Sequence, residues 1–95
     1  MARNTDILLN SETPTELTNA DVTRFSTQNK SPHTMSVLAT DGTVPSTTDG
    51  GAYDLPPFGA FVDEEIVGLW SGVSGAVRIF AWLNDGTGLA MINHA

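Results

Sequence analysis

Three carboxylates stand in a row at Asp63-Glu64-Glu65, a residue type used in pairs for acid–base catalysis and for holding cations. Acid–base work needs two carboxyls in different environments, so that one stays protonated. Neighbours in one exposed run share the same solvent and gain no such separation. They are read instead as a solvated turn whose negative charge favours a short helical turn over Ile66-Val67-Gly68-Leu69-Trp70. The oxygen-rich run Asn84-Asp85-Gly86-Thr87-Gly88 suggests a calcium loop. An EF-hand loop needs alternating ligands across twelve residues and a closing bidentate Glu, and no Glu follows Gly88. A tight turn with positive φ explains the same residues. The only two histidines, His33 and His94, lie in no metal or triad motif. Gly68, Gly72 and Gly75 lack the Lys and Ser/Thr of a phosphate loop, since no lysine follows Lys30. The residues support neither a catalytic set, nor a cofactor, nor a metal.

The aromatic residues are the remaining candidates. Phe58, Phe61, Trp70, Phe80 and Trp82 supply apolar area worth about 25 cal/mol per Å² when buried, so the core claims most of them. A domain this small need not bury all five, and Trp with Arg dominates binding hot spots. Arg78, Phe80 and Trp82 alternate onto one face of a strand. With Trp70 they form the candidate interface.

Strands must position these residues. Thr, Ser, Asn, Gly and Val dominate where a helix would need Ala, Leu, Glu and Lys. Short β-prone runs recur at Asp6–Leu9, Glu16–Thr18, Val22–Gln28, His33–Thr40 and Ala60–Val62. In His33–Thr40 the residues Met35, Val37 and Ala39 share one face at period two. The clearest pair is Ala76–Leu83 and Gly88–His94, joined through Asp85-Gly86, which reads as a C-terminal hairpin. Val77, Ile79, Ala81 and Leu83 would face one way, and Arg78, Phe80 and Trp82 the other. A strand apolar on both faces implies a sheet covered on both sides. Thr43–Thr48, bracketed by Asp41-Gly42 and Asp49-Gly50, reads as an exposed loop. The fold class expected is all-β: one sandwich or barrel of about seven short strands.

Size and charge narrow the possible partners. Ninety-five residues make one domain, with only roughly 60–65% of its unfolded surface buried. With no cysteine, disulfides and thiolate zinc sites are excluded, which leaves oligomerisation or docking as the remedy for a small core. Eleven acidic against four basic residues argue against nucleic acid. No apolar run approaches the roughly 20 residues that span a membrane, and the first residues lack the h-region of a signal peptide. Synthesis in the cytoplasm is expected.

The stretch Leu69-Trp70-Ser71-Gly72-Val73-Ser74-Gly75-Ala76-Val77-Arg78-Ile79-Phe80-Ala81, with the terminal Asn93-His94-Ala95, resembles small structural proteins of bacteriophage virions. Their pattern is close to L-W-P-G-V-x-G-A-x-R-[VY]-[FY]-A with an ending near S-H-A. Ser71 stands where they have Pro, and Asn93 where they have Ser. Leu17-Thr18, Gln28-Asn29 and Asp41–Pro45 also sit where these proteins carry similar residues. The resemblance implies location in the virion, contact with the major capsid protein or another virion protein, and a decoration (cement) role on the head exterior. A homo-oligomer is expected, with residues 1–20 as an extended arm that adds a strand to a capsid subunit's sheet. The rival readings are a tail, neck or fibre-base component and a module that recognises host-surface sugar through Trp70 or Trp82.

Overall fold

The structure is a computed structural model that describes residues 2–95. It has eight strands: β1 (Arg3–Asn10), β2 (Thr15–Glu16), β3 (Arg24–Asn29), β4 (Met35–Thr40), β5 (Tyr53–Leu55), β6 (Ala60–Glu65), β7 (Arg78–Leu83) and β8 (Thr87–His94). A single helical turn, α1 (Ile66–Leu69), follows β6. The strands form two antiparallel four-stranded sheets, ordered β1-β8-β3-β6 and β2-β7-β4-β5. The all-β expectation holds, and the architecture is a sandwich.

Alternation explains what lies between the sheets. Met35, Val37 and Ala39 of β4 and Ile79, Ala81 and Leu83 of β7 are buried, as the period-two pattern requires. Opposite them stand Leu9 of β1, Phe25 of β3, and Ala90 and Ile92 of β8. Leu17, just beyond β2, is buried too, and Arg3 Nη1 donates to its carbonyl at 3.0 Å, tying the two sheets together along one side. The opposite side is closed by aromatic rings. Trp70 lies 6.3 Å from Phe25 in a stacked pair and meets Tyr53 (5.3 Å) and Phe61 (6.5 Å) edge to face. Such pairs add about 0.5–1.5 kcal/mol each beyond their area.

Two expectations are corrected. The Asp85-Gly86 turn does not make a hairpin: β7 pairs with β2 and β4, while β8 pairs with β1 and β3. Asn84, Asp85 and Gly86 instead carry the chain from one sheet to the other, and the Asn84 amide bonds the Thr34 carbonyl at the entrance of β4. Gly86 has φ 65°, and a Cβ there would stand 2.8 Å from His33 Nε2. A Cβ at Gly88 would come within 2.3 Å of the Ser31 Cβ. Both glycines let the crossing press against the β3–β4 connection. The expected N-terminal arm is likewise part of the sandwich, because β1 pairs with β8 along its whole length and buries Leu9. β5 was not expected; its three residues are too few for a periodic signal and end at Pro56-Pro57.

This end of the sandwich is organised by Asn29, which is fully buried. Its side-chain amide nitrogen donates to the carbonyls of His33, Leu55 and Pro56. Its Oδ1 accepts from the Ser31 amide and hydroxyl. Its backbone bonds Gly59 and Phe58. One side chain thus joins the β3–β4 and β5–β6 connections.

Candidate functional site

The opposite end, where β3 and β7 begin, is open. Ile66 starts α1 and is buried, with its amide bonded to the Thr23 carbonyl (2.9 Å). The chain then tightens through Trp70 N–H to Ile66 O (2.8 Å) and Val73 N–H to Trp70 O (3.0 Å). Anchoring Ile66 inward turns the next residue, Val67, out to 67% exposure, and the second turn leaves Val73 at 39%. The return path through Gly75, Ala76 and Val77 is fixed by bonds from Val22 N–H to Val77 O and from Val77 N–H to Thr40 O. Together these residues enclose an apolar groove of about 350 Å³.

The rim of the groove is acidic. Glu65 and Val67 also border a second, shallower recess of about 360 Å³, shared with Arg24, Asp63, Glu64 and Gly68. Arg24 Nε binds Asp63 Oδ1 and Arg24 Nη1 binds Glu65 Oε1, both at 2.9 Å. The Arg24 hydrogen bond, helped by its charge, holds the Asp63 carboxyl below its ordinary value. Glu64 has no ion-pair partner among the described residues. Three carboxylates against one guanidinium leave this edge negative. The helical turn expected after Asp63-Glu64-Glu65 is present, but Glu65 makes no side-chain cap bond to it. The run is strand, bulged against β3, with Asp63 at φ 49°.

The four residues proposed from sequence as an interface lie elsewhere or inside. Trp70 and Trp82 are each 5% exposed and Phe80 is 2% exposed. Trp70 sits in the aromatic cluster, and its indole N–H donates to the Gly51 carbonyl (3.0 Å). Phe80 and Trp82 point away from Ile79 and Ala81 by strand alternation, and Phe80 lies beside Leu38 in register. The Asp41–Ala52 connection returns toward that face. Its Pro45 is buried, and a Cβ on Gly51 would lie 4.0 Å from Leu38 Cδ1. The sheet covered on both sides is therefore present, and part of the cover comes from the chain itself. Arg78 is half-buried, and its guanidinium binds Asp21 (2.7 Å) and Glu16 (2.9 Å), which raises its already high pKa. Neither tryptophan offers a ring face on which a sugar could stack.

Sequence reasoning missed Val22, Val67 and Val73 as site residues. The signal present was the stretch Leu69–Ala81, which contributes Val73, Gly75, Ala76 and Val77 to the groove. Among the described residues no three His, Asp or Glu side chains converge as metal ligands, and no helix is long and apolar enough to cross a membrane. Compared with protein families, curated proteins and solved structures, the chain gives no match. What the groove can do chemically is hold an apolar side chain whose neighbour carries positive charge.

Proposed function

We propose that this chain is a structural protein of a bacteriophage virion, a decoration protein on the head exterior that docks on the major capsid protein through the α1 groove. The observation that carries the reading is the coincidence of two features. The stretch that resembles phage structural proteins, Leu69–Ala81, also supplies one wall of the exposed apolar groove. Val67 and Val73 would wall the groove around an apolar side chain of the partner, with Glu65 meeting a neighbouring Lys or Arg. The chain's acidic balance suits an outward position rather than one facing packaged DNA. The role is binding, with no catalytic step.

The test is to separate phage particles into heads and tails by sedimentation and probe each for the chain. Many copies on heads support the decoration role. Few copies on tails would move the assignment to a neck or fibre-base component, which the same resemblance allows. Absence from both would overturn the virion reading.

A further inference from the structure

Each sheet of the sandwich has two edge strands, and three of the four edges are blunted. β2 has two residues and β5 three. β6 is interrupted by its bulge and by the Arg24 clamp on Asp63 and Glu65. β1 differs. It runs for eight residues without bulge or proline, in register with β8 at every position. Among the described residues no other backbone bonds its free edge. A long regular edge is a template for another strand.

The side chains on its outer face fit that role. Leu8 is 64% exposed and lies opposite Leu89, which is also exposed. Asp6 is neutralised by Lys30 at 3.2 Å. We infer that β1 pairs antiparallel with β1 of a second copy of this chain, joining two four-stranded sheets into one of eight. The strand is complementary to itself about a two-fold axis at Leu8. That register sets Leu8 against Leu8, Ile7 against Leu9, and Asp6 against Asn10. It makes a continuous outer strip from Leu89 through both Leu8 side chains to the other Leu89. No like charges face each other, whereas an axis at Asp6 would oppose two carboxylates. The overlap from Asp6 to Asn10 is short against the roughly 1,600 Å² of a standard interface, so the pairing is a weak, reversible one. The pairing rests on the edge itself and stands whether or not the virion reading does.

Sedimentation over a concentration series tests it on the full chain. Wild type should pass from monomer to dimer. Leu8→Lys and Leu8→Glu should each raise the dissociation constant by roughly tenfold or more, with melting temperatures equal to wild type at concentrations where all three are monomeric, because Leu8 is exposed in the monomer. Mixing the two variants should restore dimer, since Lys then faces Glu at the axis. Val67→Glu, at the far groove, should dimerise as wild type does. A wild type that stays monomeric throughout would overturn the inference. So would single variants that still dimerise, or a mixture that does not recover.

Discussion

Asn29 and Val67 sit at opposite ends of one sandwich and are put to opposite uses. Around Asn29 the polar groups of two connections face inward and satisfy one another, and Gly86 and Gly88 allow the backbone of a third to close against His33 and Ser31. Around Val67 the backbone is also bonded, but the apolar side chains of Val67 and Val73 are left facing out beside Glu65. Buried polar networks lose heavily when one member is removed, while exposed apolar groups cost little to change. The first end therefore fixes the fold, and the second is free to recognise a partner.

Substitutions should separate the two ends by their effect on folding. Asn29→Ala removes the side-chain donor from the buried Leu55 carbonyl and the acceptor from the buried Ser31 amide, while the His33 and Pro56 carbonyls keep their bonds from Ser31 Oγ and the Gly59 amide. It should cost about 3–5 kcal/mol in urea denaturation. Gly88→Ala forces a methyl group into the Ser31 side chain and should cost about 2–3 kcal/mol in the same assay. At the open end, Val67→Asp should leave stability within about 0.5 kcal/mol of wild type while reducing retention on particles by tenfold or more. A loss of several kcal/mol at Val67 would erase the contrast between the ends.

Much of this contrast lies beyond local sequence patterns. The β4 alternation was legible because Met35, Val37 and Ala39 repeat at the strand period. The crossing from β7 to β8 was not, because Asp85-Gly86 encodes a reversal without stating which sheets it joins. Asn29 reads locally as a turn former, and its role depends on carbonyls at Leu55 and Pro56 that only tertiary folding brings near. The expected interface at Phe80 and Trp82 rested on strand alternation, which puts them with Arg78 on the face away from Ile79 and Ala81. Alternation gives the face but not its cover: the Asp41–Ala52 connection returns toward it with Pro45 buried, a contact that only tertiary folding makes. Val67 carries no local sign of exposure; its outward direction follows from Ile66 being anchored inward.

Two smaller effects sharpen the picture at the open end. His94 is buried there, and its Nε2 is the one buried side-chain polar atom without a partner among the described residues. His94→Leu should therefore be neutral, or stabilising by about 1 kcal/mol, in thermal denaturation. The Arg24–Asp63 clamp lies at the exposed surface, and its effect is one of charge. Asp63 is held below its ordinary 3.8 by the Arg24 hydrogen bond. A depressed carboxylate stabilises above its unfolded value and loses that contribution as pH falls through the folded one. In an NMR titration Asp63 should show a midpoint below 3.8 in wild type, returning toward it in Arg24→Ala.

The most direct test of the division between the two ends is amide hydrogen exchange, compared for the free chain and for the chain bound on purified particles. Slowed exchange across Ile66–Val77, with no change at Asn29–His33 and Asn84–Gly88, is the result expected of a docking end and a structural end. New protection confined to the Asn29 end, or none at α1, would contradict it.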